Sequence, residues 1–167
     1  DYIDIQSTFN YIKWKIKETN EEIIISTTRP ELICTCGMVI YNPEDKRYTH
    51  LKGKTAITPI FNKEVIIQPH PLAQIDKGTG LVMMCSAGDL SDIQFFREMK
   101  LTPQIAINKD GTMNEKAGML KGLKVKEARQ KIVEALKEKS LLINQNQINH
   151  RTPISERSGA EIEFIEM

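Results

Sequence analysis

Aromatic residues are scarce in this chain: one Trp, four Tyr and five Phe make up 6% of its 167 residues. Ile, Leu and Val must therefore fill most of any core, and with 40% hydrophobic residues the chain is long enough to bury one. A charge excess of either sign is missing too, since 23 basic residues face 22 acidic ones for a net charge of +1. That balance excludes a general nucleic-acid binder, which needs surplus cations to neutralise phosphates. A nucleic-acid partner has to be held mainly by another part of a larger protein. Apolar runs long enough to cross a bilayer are lacking, and no signal-peptide pattern is present in the sequence, which begins at Asp1 instead of Met. The expectation is a single domain, residues 1–167, excised from a longer cytoplasmic protein with no membrane partner.

Cysteine is sparse as well. Cys34, Cys36 and Cys85 are odd in number and sit in apolar neighbourhoods, which reads as reduced thiols in or near the core. Cys34-x-Cys36 lacks the two-residue gap of a zinc knuckle, and His50, His70 and His150 have no Cys or carboxylate at ligand spacing. No metal site is expected.

What is present is strand periodicity. Ile12, Trp14 and Ile16 alternate with Lys13, Lys15 and Lys17, the pattern of a half-buried strand over residues 9–17. Thr19-Asn20 reads as a turn into a second strand over 22–26. Pro30 disfavours helix at Arg29, so Thr27-Thr28-Arg29-Pro30-Glu31 should be a bend opening a short helix. Further strands are expected at 37–41, 56–61, 64–68 and 81–85, with one helical turn over 43–48. A helix capped by Asp89 or Ser91 should bury Ile93, Phe95, Phe96 and Met99. The clearest helix is 125–136, with Val125, Ala128, Ile132, Val133 and Leu136 on one stripe. The tail, residues 148–167, carries one more alternating stretch around Ile162 and Phe164. Many short strands with two or three peripheral helices give an α+β class, β-rich, with a curled or barrel-like sheet.

Three clusters could carry chemistry: the bend of residues 27–31, Gly78-Thr79-Gly80, and Gly88-Asp89 with Asp92. Asp89 and Asp92 are three apart at a helix start, so their carboxylates can face one side. Their spacing is equally that of two helix-capping acids. Taken singly, the threonine pair is an ordinary strand end and Gly-Thr-Gly a common turn.

Their combination and order resemble the editing insertion of class I aminoacyl-tRNA synthetases of the valyl, isoleucyl and leucyl kinds, the first connective-polypeptide domain. The similarity extends through Asn42-Pro43-Glu44-Asp45-Lys46-Arg47-Tyr48, Leu51-x-Gly53-Lys54-Thr55 and Lys109-Asp110-Gly111-Thr112-Met113-Asn114. It continues in Gly122-Leu123, Glu127-Ala128-Arg129 and His150-Arg151-Thr152-Pro153-Ile154, and so covers nearly the whole chain. Isoleucyl enzymes usually place Pro-Trp where Arg29-Pro30 stands, which puts the chain nearer the valyl kind. It departs from the family at Leu32, where a Thr is common, at Met83, where valyl enzymes often carry Lys, and at Ser86-Ala87-Gly88, where Pro-Ala-His is usual.

The resemblance implies hydrolysis of a mischarged tRNA ester, Thr-tRNA(Val), as post-transfer editing. It implies a substrate pocket formed by Thr27, Thr28, Arg29, Glu31, Leu32, Gly80, Met83, Asp89 and Asp92. Within it Asp92 would hold the substrate ammonium and Asp89 the threonine hydroxyl or a water. Thr27 and Thr28 would hold the terminal ribose and the developing oxyanion. Arg29 would contact phosphate or serve as a structural ion-pair partner. Editing would need no cofactor; ATP and Mg belong to the synthetic domain, whose His-x-Gly-His and Lys-Met-Ser-Lys-Ser signatures this chain lacks. The partners implied are the tRNA 3′ end and the remainder of the parent synthetase. The alternatives are an isoleucyl or leucyl editing domain, a non-catalytic module that binds the tRNA 3′ end, and a structural β-rich interaction domain.

Overall fold

One long strand organises the fold. β1 (Tyr2–Ile16) pairs along one edge with β2 (Glu22–Thr27), in the antiparallel register Asn10 with Thr27 to Lys15 with Glu22. Along its other edge it pairs with β7 (Leu142–Pro153) from Tyr2 to Ile12, and then with β4 (Thr55–Ile57) at Lys15 and Ile16. The structure, a computed structural model, describes residues 2–86 and 90–153; of residues 2–6, 90–92 and 149–153 it describes the backbone alone.

The sheet runs β2-β1-β4-β5-β3-β6, with β7 beside β1. β3 (Cys36–Tyr41) and β5 (Glu64–Pro69) are parallel neighbours, and the other pairings are antiparallel. β6 (Val82–Cys85) lies at the far end of that order, yet the turn before it docks on β2. The sheet is thereby a nearly closed barrel, the curled form expected from the strand-rich pattern.

The inward positions of β1 are those of the expected alternation: Ile12, Trp14 and Ile16 are at most 1% exposed. They join Ile25, Val39, Tyr41, Ala56, Ile67 and Leu81 in one core, where burial of each Ile, Leu or Val side chain stabilises by about 1.5–3 kcal/mol. The amphipathic helix α2 (Val125–Glu138) adds Ala128, Ile132 and Leu136 to that core, while Val125 and Val133 pack at its margin. β3 is covered on both faces, which explains its unbroken apolar run. Its outer face, with Met38 and Ile40, meets Phe95 and Phe96 of α1 (Leu90–Glu98) in a second, smaller core. Gly37 permits that contact, because a Cβ there would stand 2.8 Å from Phe96 Cζ.

Three local expectations fail. The strand over 56–61 ends at Ile57, because Pro59 and the positive φ of Ile60 (68°) and Asn62 (54°) form a tight turn. Residues 43–48 form turns instead of a helical one, and a 3-10 turn follows at Thr49–Leu51. Ile93 is 40% exposed, since α1 lays only Phe95 and Phe96 on the sheet. Most of β7 was also unforeseen. Its Asn144-Gln145-Asn146-Gln147 core has poor strand propensity, and the long backbone ladder with β1 imposes the strand. The stretch around Ile162 and Phe164 lies outside the described residues.

Candidate functional site

The bend after β2 is built from its own sequence and held at both ends by buried polar groups. Pro30 keeps Arg29 out of helical space (φ −132°, ψ 68°) and occupies the start of a 3-10 segment, Pro30–Thr35. The Thr27 hydroxyl accepts the Arg29 amide at 3.0 Å, a short side-chain turn that reverses the chain. Every residue of the 3-10 segment is buried, including Glu31 at 0% exposure.

A carboxylate so placed is tolerable only if paired. Glu31 accepts from Arg29 Nε at 3.2 Å and from Arg129 of α2 through Nε at 3.0 Å and Nη2 at 2.9 Å. At the other end stands Asn10 of β1, 2% exposed. Its Nδ2 donates to the Thr27 carbonyl at 3.2 Å and to the Thr8 carbonyl at 3.3 Å, and its Oδ1 accepts from Gln145 Nε2 at 2.7 Å. A polar chain thus runs from β7 through Asn10 and residues 27–31 to α2. Thr27 and Thr28 stay half-buried, while Arg29 is only 6% exposed.

Gly78-Thr79-Gly80 adjoins this bend at Ser26. Thr79 donates its hydroxyl to the Ile24 carbonyl at 2.6 Å and its amide to Ser26 Oγ at 3.2 Å. Tyr48 donates its hydroxyl to the Thr79 carbonyl at 2.5 Å. Gly80 has φ +90°, and a Cβ there would meet Arg47 Nη2 at 2.7 Å and Asp45 Oδ2 at 2.9 Å. Only glycine fits the position. The Arg47 guanidinium, bonded to both oxygens of Asp45, holds that carboxyl below its ordinary range.

Leu32 (2% exposed) and Met83 (9%) lie in the main core cluster, the latter on β6. β6 ends beside the 3-10 segment, where the Ser86 amide donates to the Thr35 carbonyl at 3.4 Å. α1 begins four residues beyond, with the Asp92 backbone in its first turn; the Asp92 side chain and all of Asp89 lie outside the described residues. The structure therefore links Thr27, Arg29 and Glu31 directly and sets Gly80 at the docking turn.

No histidine among those with described side chains serves the threonines. His50 meets Glu21 at 3.0 Å, and His70 meets Glu98 at 2.7 Å. Burial pushes the Cys34 thiol up to about 11, so it is no thiolate nucleophile at neutral pH. Among the described residues there is no group of three His, Cys, Asp or Glu side chains placed to hold a metal ion, and no helix long and apolar enough to cross a membrane.

Sequence reasoning assigned no role to Asn10 or Arg129. Asn10 has the same parity as Ile12, Trp14 and Ile16, and a polar residue at an inward position is a legible signal. Arg129 carried none, because only the fold brings it to Glu31.

The fold and the sequence both relate this chain to class I aminoacyl-tRNA synthetases. In fold the chain is similar to the agnB2 LeuRS of Agrobacterium radiobacter K84, solved as a ternary complex with tRNA and LeuAMS, with TM-score 0.63 and 15% identity over 89% of this chain and 20% of that one. In sequence it is similar to valine–tRNA ligases: 43% identical over 155 residues to that of Aeropyrum pernix and 47% over 160 residues to that of Rickettsia conorii. These matches cover 93% and 95% of this chain but 19% and 20% of the relatives, so it spans about a fifth of their length. No family model matches. Over nearly all its length the chain is thus similar to one segment of valine–tRNA ligases.

Proposed function

We propose that this chain hydrolyses the ester of mischarged tRNA, with threonine on valine tRNA as its substrate. The observation that carries the reading is the bend of residues 27–31. It keeps the Thr-Thr-Arg-Pro-Glu pattern and is fixed by buried polar contacts, yet leaves Thr27 and Thr28 partly accessible. Polar groups buried and hydrogen-bonded in this way are held in position. The similarity to valine–tRNA ligases supports the choice of tRNA.

The chemistry explains why such a domain is needed. Valyl enzymes are themselves the standing example of an apolar pocket that rejects a hydroxyl-bearing isostere by only ~10². A second site must therefore demand the hydroxyl. A pocket built to hydrogen-bond it leaves a polar group unpaired when valine enters, which costs about 1–3 kcal/mol. In this reading Asp92 binds the ammonium of the ester, and Asp89 takes the threonine hydroxyl or orders the attacking water. Thr27, Thr28 and the amides of the bend hold the ribose and the developing oxyanion. Arg29, committed to Glu31, acts as a structural partner of the site. The ester is already activated, so a positioned water suffices without metal or covalent intermediate. The neutral charge leaves most tRNA affinity to the rest of the parent synthetase.

The test is deacylation of Thr-tRNA(Val) by the parent chain and by Asp92→Ala, with melting temperatures measured on the same samples. Loss of hydrolysis with the fold retained is expected, because a charge-assisted contact and the register of the ester are lost together. If Asp92→Ala hydrolyses like the parent, the site assignment is wrong. Asp89→Ala should instead narrow the gap between threonyl and valyl esters.

A further inference from the structure

Arg129 has no part in the hydrolytic roles above, yet it makes a two-pronged contact within the site. It sits on α2 beside the buried stripe of Ala128, Ile132 and Leu136, with its side chain 36% exposed. From there its guanidinium forks onto Glu31, 98 residues earlier, with both nitrogen–oxygen distances at or below 3.0 Å. A fork of two parallel bonds fixes the carboxylate plane as well as its position. The same Oε2 accepts from Arg29 Nε, so one fully buried carboxylate aligns two guanidiniums. Arg29 Nε and the Arg129 fork share Oε2, so a turn of Glu31 breaks both contacts together. Through the Arg29 amide on Thr27 Oγ1, the alignment reaches the threonine pair. Exposed ion pairs contribute little to such ordering, but here the acceptor is out of water.

We infer that Arg129 is a positioning residue for residues 27–31, acting on Arg29 and the threonines through Glu31. The inference rests on the hydrolytic reading only where activity is concerned.

The test uses the full chain carrying Arg129→Met or Arg129→Lys, with amide hydrogen exchange and single-turnover deacylation of Thr-tRNA(Val). The Arg29 amide, bonded to Thr27 Oγ1, and the Leu32 amide, bonded to the Arg29 carbonyl, report on the bend; the Ile67 amide, bonded to the Lys54 carbonyl, is the control. In Arg129→Met the two bend amides should exchange about tenfold faster with the control unchanged. The maximal deacylation rate should fall about tenfold, while half-saturation moves by less than about threefold. Arg129→Lys, lacking the fork, should recover only part of both. Glu31→Gln with Arg129→Met should be no worse than Glu31→Gln alone, as expected of groups acting in series. Unchanged exchange at Arg29 and Leu32 overturns the inference whatever the activity does. Faster exchange with an unchanged rate overturns it as well. A parent chain that leaves Thr-tRNA(Val) intact sinks the hydrolytic reading instead, and exchange alone then decides whether Arg129 sets the bend.

Discussion

Thr79, in the turn before β6, donates its hydroxyl to the carbonyl of Ile24 in β2 at 2.6 Å. The two strands stand at opposite ends of the sheet order, so this bond and the neighbouring one to Ser26 close the barrel. Thr79→Val keeps the shape and removes the donor. It should lower unfolding stability by about 1–2 kcal/mol in urea titrations, with an unchanged dependence on denaturant. A loss below about 0.3 kcal/mol would show that side-chain packing, and not this bond, closes the sheet.

Gly80 tests the same junction sterically. Alanine there must adopt φ +90° and displace the pair of Arg47 and Asp45, which lie within 3 Å of its Cβ. Both strain and lost ion pairing act in one direction, and a destabilisation of about 2 kcal/mol or more is expected. Circular dichroism melts of Gly80→Ala and Gly53→Ala separate the causes. Gly53 also has positive φ (77°) but has nothing within 4 Å, so it reports backbone strain alone.

Asp45 should shape the acid limb of stability. The side-chain hydrogen bond from Arg47 is the main cause holding its carboxyl below the ordinary 3.8, against the opposing effect of burial. A carboxyl depressed in the folded state contributes stability that is present above the unfolded value and lost as pH falls through the folded one. Denaturation midpoints of the parent should therefore drop below about pH 4, and Asp45→Asn should be less stable at neutral pH with a shallower acid decline. Parallel curves for the two proteins would refute the assignment.

Asn10 links β7 to the bend, and Asn10→Ala takes the side-chain donor from the Thr27 carbonyl, while the exposed Gln145 amide can turn to water. The expected loss is about 1–3 kcal/mol, with slower deacylation per folded molecule. Asn10→Asp keeps an acceptor for Gln145 but sets a buried carboxylate against the Thr8 and Thr27 carbonyls, and should be less stable than Asn10→Ala. An unchanged deacylation rate per folded molecule in Asn10→Ala would make Asn10 a stability residue only.

The chain's local chemistry determined more of this protein than its composition suggests. The alternation of Ile12, Trp14 and Ile16 set the inward face of β1, the stripe of Ala128, Ile132 and Leu136 set that of α2, and Pro30 set the bend, because each acts over a few residues. Order and spacing of motifs likewise pointed to the family, and the similarity to valine–tRNA ligases over 93% and 95% of the chain agrees. Tertiary structure decided what sequence spacing cannot encode. The Asn and Gln residues of β7 became a strand only because β1 offered its free edge. Leu32 and Met83 proved to be core residues because the barrel closes over them. Arg129 met Glu31 because α2 folds back across the 3-10 segment, and a contact between residues 98 positions apart leaves no trace in local pattern.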